Sequence, residues 1–428
     1  MTPGADPVPR QRTAPAERRD GGAAAASLAR RGWLWRQVPA YSPLTLHATW
    51  RAAAQTLLRQ EDARPRLARL LRALYPAREA VLLGSGTQAL ELAIRIASRV
   101  VGEPSVVALP AFSCYDVATA AVGADAHIAL YDVDPWTLAP DLDSVTATLA
   151  EGARVVVIAP LFGIPVDWDA IEHCLAAFGA LAIEDAAQGQ GALWRGSPLG
   201  SQGALSVLSF GRGKGWTGGR GGALLMRRFP LDGHLAAARP PGLSDEFAAL
   251  ATAAAQSLLG RPALYRLPAA VPFLHLGETR YRAPSPPRGM TRAAAALLER
   301  TLPLATQEAA VRKANAEALL ARIPPDSRAR AVAPPRPGTP GFLRLPLRLP
   351  NGLAGLPDPR LALRLGVTPG YPTTLAALPP VRERLTRATG RWPGAEELVR
   401  QLVTLPTHSL VSAAEREALA RLVEGCSS

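Results

Sequence analysis

Lysine is nearly missing from this 428-residue chain. Of its 48 lysine and arginine residues, only Lys214 and Lys313 are lysines. Almost every cationic position is arginine, including most where lysine would serve as well. One task is closed to arginine: its guanidinium does not give up a proton, so it cannot present a neutral amine to a carbonyl. A surviving lysine is therefore a candidate for imine chemistry. Lys313 lies in the helical pattern VRKANAEALL and reads as an ordinary surface charge. Lys214 lies in LSVLSFGRGKGWTGGRGGALLM, a glycine-rich stretch directly after the apolar, strand-like run 205–210.

Other shortages exclude other classes. The three cysteines, Cys114, Cys174 and Cys426, form no spacing motif. That argues against a disulfide framework or a zinc site and points to the reducing cytoplasm. The six histidines show no metal spacing either. No window carries eighteen uninterrupted apolar residues, so no membrane span is expected. The first residues lack the apolar core of a secretory signal. Residues 1–30 hold almost no large apolar side chains, and a disordered tail is expected there. Acidic residues are also few, 35 in all, giving a formal net charge of +13. The arginines are scattered along the chain, which reads as compositional bias and not as a nucleic-acid footprint. Attraction of small anions is the milder use of this charge.

From Ala80 onward, short apolar runs alternate with amphipathic helical patterns. AVLLGSGT, VVALP, HIALYDVD, RVVVIAP, ALAIED, LSVLSF and GGALLM read as strands. This order implies an α/β fold: a mostly parallel sheet with helices on both faces. Upstream, residues 48–75 read as helical. After about residue 270 the texture changes. Residues 291–322 read as two helices parted at Pro303, 324–341 as a proline-rich loop, and FLRLPLRL as a strand. LAALPPVRERL and SAAEREALARLVEG read as helices. We expect a large domain over residues 31–285 and a smaller C-terminal α+β domain over 286–428.

In parallel sheets, ligands gather at the carboxyl ends of the strands. Four groups of residues stand there. Ser85-Gly86-Thr87 opens a helix and is either a plain cap or an anion site. The loop after Pro110 runs to Tyr115. Asp185 ends the run IEDAAQ, where it could be solvated, cap the next helix or hold a protonated ring nitrogen. Gln188 follows one helical turn later and could face the same ligand or solvent. Ser209 precedes Lys214 in SFGRGK. A phosphate site, a carboxylate for a ring nitrogen and an imine-forming lysine are together the three handles of pyridoxal 5′-phosphate.

With these residues in view, the chain resembles the DegT/StrS-type aminotransferases, which have the aspartate aminotransferase fold (fold type I). The resemblance covers roughly residues 41–425. It rests on GSGTQALELAI, YDVDPWTLAPD, PLFGIPVDWDAI, IEDAAQGQGA, the S-F-x-x-x-K run, GGALL, GMTRAAAALL and LPTHSLV. It implies a seven-stranded-type sheet and a pyridoxal phosphate cofactor. It implies that Lys214 forms the imine and that Asp185 partners the pyridinium nitrogen. Gln188 would lie near the ring hydroxyl, and Gly86, Thr87 and Ser209 would hold the phosphate. The implied activity is transamination from an amino acid, usually glutamate, to a keto-sugar that is commonly nucleotide-linked. It belongs to glycan, polysaccharide or secondary-metabolite synthesis, and the protein would be a homodimer.

This chain departs from the family pattern in three places. Cys114 stands four positions after Pro110, where the family usually has an aromatic residue stacked on the ring; Phe112 and Tyr115 are the nearby aromatic candidates. The asparagine that reaches the partner subunit's phosphate has no clear match in SPPRGMT. Arg220 stands where an acidic residue is usual. Two further readings stay open: a cofactor enzyme of another reaction type, and a non-catalytic binding or regulatory protein on the same fold. Family dehydratases typically carry histidine in place of the lysine, so Lys214 argues against dehydration. Tyr371 is a candidate for the substrate cleft. His408 has a structural reading at least as good as a functional one.

Overall fold

The computed structural model describes residues 35–58, 61–103, 105–228, 238–269, 279–387 and 390–426. The tail expected over residues 1–30 lies outside them. Seven strands form the main sheet: β1 (Glu79–Leu83), β2 (Val106–Pro110), β3 (His127–Tyr131), β4 (Ala153–Ile158), β5 (Leu181–Asp185), β6 (Leu205–Ser209) and β7 (Gly222–Met226). Their spatial order is β1-β7-β6-β5-β4-β2-β3. Only β7 runs antiparallel to its neighbours, β1 and β6. Strands β2 to β6 are parallel to one another, and helices connect β2 to β3, β3 to β4 and β4 to β5.

Burial on both faces explains why the strands read as continuous apolar runs. Side chains alternate across a strand. Val155 and Val157 of β4 pack into one apolar cluster, while Val156 and Ile158 pack into the other. All four are completely buried, and each such side chain contributes about 1.5–3 kcal/mol. The chain leaves β2 toward β3 on one side and returns to β4, β5 and β6 on the other. This reversal opens a crevice at the carboxyl ends of β2 and β4.

Eight helices pack on or beside this sheet: α1 (Leu46–Leu57), α2 (Ala63–Leu74), α3 (Gly86–Val101), α4 (Tyr115–Gly123), α5 (Leu142–Ala150), α6 (Trp168–Ala176), α7 (Leu243–Leu259) and α8 (Arg292–Leu320). Helix α3 starts directly after β1. Ser85 is its N-cap, with Oγ accepting from Gln88 N at 3.2 Å. Downstream, four short strands form a second sheet: β8 (Arg330–Ala331), β9 (Leu345–Arg348), β10 (Thr368–Pro369) and β11 (Leu402–Leu405), in the order β8-β9-β11-β10. Among the described residues, no helix is long and apolar enough to cross a membrane.

Three sequence expectations need correction. The helix read over 48–75 is two helices, because Asp62 caps α2 by accepting from Arg64 N at 3.0 Å. Pro65 fits in that first turn, where no intrahelical partner is required. The two helices expected to part at Pro303 are one, α8. Pro303 removes one helical hydrogen bond, but the flanking Leu297, Leu298, Thr301 and Ala305 are fully buried. Thr301 also donates to Thr217 O at 2.8 Å. Tertiary packing therefore carries the helix past its break. LAALPPVRERL forms only a 3-10 turn at Leu375–Ala377 and one helical turn at Pro379–Arg382, because its two prolines open a new start.

Candidate active site

Lys214 is carried by the loop between β6 and β7. The loop is closed at its base by Phe210 N donating to Gly221 O at 2.9 Å, and by the Thr217 hydroxyl donating to Phe210 O at 2.9 Å. Glycine is required beside the lysine. Gly215 has φ +82°, and a Cβ there would meet Gln190 Cβ at 2.9 Å and the buried Arg312 guanidinium at 3.2 Å. Its N–H donates to the Ser42 hydroxyl at 3.0 Å. Lys214 thus sits on a pinned loop at the junction of three hollows.

The first hollow is a narrow slot at the β2/β4 crevice. Gly86, Thr87, Ser113, Cys114, Asp185, Gln188, Ser209 and Lys214 all contribute to its walls. Asp185 ends β5 at its base, with Oδ1 accepting from Ala187 N at 3.1 Å. Withdrawal from water raises its pKa, and the Lys214 charge opposes the rise. Gln188 is held at both ends. Its Oε1 accepts from Phe162 N at 3.0 Å, and its Nε2 donates to the Tyr371 hydroxyl at 2.9 Å. Phe162 has φ +56°, a strained conformation for a bulky residue. Its ring stacks on Tyr371 with centroids 6.3 Å apart.

The second hollow, of about 490 Å³, lies at the start of α3. Gly86, Thr87, Ser209 and Lys214 line it together with Arg212, Arg220, Arg282 and Arg288. First-turn N–H groups of a helix have no intrahelical acceptor and favour an anion. Gly86 permits the close approach of α3 to β6, since a Cβ there would lie 2.6 Å from Ser209 Cβ. Arg288 is partly neutralised by Asp245 at 2.6 Å.

The third hollow, of about 250 Å³, also reaches Lys214 and includes Cys114, Gln188, Arg212, Arg344 and Tyr371. The aromatic candidates for ring contact lie outside the slot lining. Phe112 is completely buried against Tyr371, with centroids 5.2 Å apart. The Tyr115 hydroxyl is tied to Thr373, 2.7 Å from Oγ1 and accepting from its N–H at 3.0 Å. Cys114 occupies the wall, and burial pushes its thiol up to about 12.

These features fit pyridoxal 5′-phosphate. Asp185 Oδ2 has no hydrogen-bond partner among the described residues and is available to a protonated ring nitrogen. The Ser113 hydroxyl is buried in the slot wall without a partner. The Gly86–Ser209 approach forms a cradle that a Cβ would fill. Lys214, Asp185, Gln188, Gly86, Thr87 and Ser209 meet at this site, whereas Phe112 and Tyr115 stand behind it.

Sequence reasoning missed Phe162, Arg344 and the support beneath Asp185. Glu184, one residue earlier on β5, faces the opposite side. Its carboxylate accepts from Gly200 N and Gln202 N at 2.8 Å each and from the Ser206 hydroxyl at 3.2 Å. Only the alternation of β5 signalled that Glu184 and Asp185 would part. His408 is buried, with Nε2 2.9 Å from Val38 O, and lines none of the three hollows.

Fold and site together define a fold type I cofactor-binding protein. The chain belongs to the DegT/DnrJ/EryC1/StrS aminotransferase family, whose model matches residues 46–424. It is 32% identical over 152 residues to 3-amino-5-hydroxybenzoate synthase of Amycolatopsis mediterranei, covering 36% of this chain and 39% of that protein. It is 33% identical over 171 residues to L-glutamine:2-deoxy-scyllo-inosose aminotransferase of Streptoalloteichus tenebrarius, covering 40% of each. The chain thus aligns with about two fifths of the length of these curated relatives. In structure it is similar to the sugar aminotransferase CalS13 from Micromonospora echinospora. The TM-score is 0.69 at 20% identity, over 90% of this chain and 99% of that one.

Proposed function

We propose that this protein is a pyridoxal phosphate-dependent aminotransferase that moves an amino group from an amino acid, glutamate or glutamine, to the ketone of a sugar or cyclitol. The observation that carries this reading is the meeting of Lys214, Asp185 and Gln188 in one slot beside the Gly86-Thr87 helix start. When bound, the cofactor supplies an electrophilic carbonyl and an electron sink. In this reading Asp185 keeps the ring nitrogen protonated, and Gln188 fixes the ring in its plane. Gly86, Thr87 and Ser209 anchor the phosphate. The Lys214 amine, once released by the incoming donor, takes and returns the substrate proton.

The relatives' inosose and sugar activities support the acceptor class. The arginine-lined hollow, with room beyond one phosphate, supports a nucleotide-linked acceptor. A homodimer is supported by exposed large apolar side chains on α1 and α7 and just past α1: Trp50, Leu243, Phe247 and Leu58 are each more than half exposed. The same reading takes residues 31–285 as the cofactor-binding unit and 286–428 as the smaller unit, in a cytoplasmic protein. The test is a visible spectrum of the cofactor-loaded protein, with glutamate and then glutamine added. Conversion of the band, restored by a keto-cyclitol or a nucleotide-linked keto-sugar, is the expected result. A band that no amino donor changes would overturn the transaminase reading.

A further inference from the structure

The third hollow at Lys214 has an unusual charge balance. Among the described residues, its lining holds Arg212, Lys214 and Arg344, with no aspartate or glutamate. Arg344 is buried, and its guanidinium is already engaged. Nε donates to Thr404 Oγ1 at 2.6 Å, one NH2 group donates to Gly366 O at 3.0 Å and Thr404 O at 2.7 Å, and the other donates to Pro39 O. All these acceptors are neutral, so the charge of Arg344 is held in place without a carboxylate. Arg212 is the opposite case. It stands two residues before Lys214 and lines both larger hollows. It makes no hydrogen bond or ion pair with any described residue. The Tyr371 hydroxyl accepts from Gln188, which leaves its own proton to donate into the same space.

We propose that this hollow is the carboxylate site for the amino-acid donor, with Arg212 as the group that pairs with the carboxylate and Arg344 as a fixed positive background. The proposal rests on the transaminase reading and adds to it where the donor's negative end lies. The chemistry is direct. A cavity whose lining carries cations and no carboxylate favours an anion, and an arginine fork matches a carboxylate through two parallel hydrogen bonds. Arg344 cannot act as the fork because neutral acceptors already occupy it. Lys214 cannot, because its amine is reserved for the carbonyl. Arg212 has the reach of a long side chain and, among the described residues, no hydrogen-bond or ion-pair partner. The α3 start lines the other hollow and not this one, so the two anions would occupy different spaces that both reach Lys214.

The experiment is calorimetric titration of the cofactor-loaded full chain with succinate, which carries carboxylates but neither amine nor ketone. Succinamide is the neutral control. Loading first fills the phosphate hollow. Wild type is expected to bind succinate and not succinamide. Arg212→Met is expected to weaken succinate binding about ten- to hundredfold, the loss of one charge-assisted pair, and Arg212→Lys is expected to restore part of it. Arg212 is exposed, so an unchanged melting temperature checks folding. Equal succinate affinity in wild type and Arg212→Met, or no succinate binding by wild type, would overturn the proposal. If no visible band forms yet succinate binding still depends on Arg212, the transaminase reading fails and the anion site stands.

Discussion

Gln188 and Tyr371, 183 residues apart in the chain, are joined by one 2.9 Å hydrogen bond at the edge of the slot. The other end of the Gln188 amide accepts from Phe162 N. One side chain therefore fixes both a strained turn and the tyrosine stacked against it. Replacing Gln188 with Leu would leave the Phe162 N–H and the Tyr371 hydroxyl without this partner. The expected cost is about 1–3 kcal/mol, read by urea denaturation. Tyr371→Phe keeps the aromatic packing and should cost less than half as much. Equal stability of Gln188→Leu and wild type would contradict this role.

Gly86→Ala tests the cradle. The added methyl would lie within 2.6–2.9 Å of the Ser209 side chain. Overpacking of this kind costs about 1–3 kcal/mol. The displacement of α3 from β6 should weaken pyridoxal phosphate binding at least tenfold, measured by fluorescence titration. Unchanged affinity would place the phosphate elsewhere.

Glu184→Ala should be the most destabilising of these changes. It removes the acceptor of two backbone N–H groups and a hydroxyl, and the negative charge that faces the part-buried Arg227. Breaking a buried charged network costs about 3–5 kcal/mol. Glu184→Gln, which keeps acceptor capacity on one oxygen, should lose less. Denaturation midpoints decide the order.

Stability should fall in acid through His408. Burial depresses its pKa from the ordinary 6.5 to about 3, and Val38 O fixes the proton on Nε2. The folded value lies below the unfolded one. The unfolded chain therefore takes up a proton below about pH 6.5 that the folded chain refuses until about pH 3. Over that window this group removes stability at up to about 1.4 kcal/mol per pH unit. His408→Gln should flatten the pH dependence of unfolding between pH 6 and 4. An unchanged slope would show that His408 does not carry it.

Much of this site is legible in the sequence because strand ends are legible. The apolar runs ending at Leu83, Pro110, Asp185 and Ser209 place Gly86, Asp185 and Lys214 on one side of the sheet. The shortage of lysine singles out Lys214 before any fold is known. Phe162 and Arg344 are not legible, because their importance comes from long-range contacts that leave no local pattern. The Phe162 turn depends on Gln188, and Arg344 is read as buried only once β9 is paired with β11. The aromatic residues after Pro110 mislead for the same reason. The family resemblance offers Phe112 and Tyr115 to the ring, but they pack against Tyr371 and Thr373. Pro303 misleads in the other direction, since a local helix breaker yields to burial on both sides.

The most direct test of the central claim uses the two-lysine composition. Pyridoxal phosphate is added to the full chain, the lysine–cofactor bond is reduced with borohydride, and the tagged peptide is sequenced by mass spectrometry. Only Lys214 and Lys313 can carry a side-chain tag. The tag is expected on the Lys214 peptide in stoichiometric amount and not on Lys313, with Lys214→Ala losing both the tag and the visible band. A tag shared evenly between the two lysines, or a band that survives in Lys214→Ala, would contradict the assignment of the imine to Lys214.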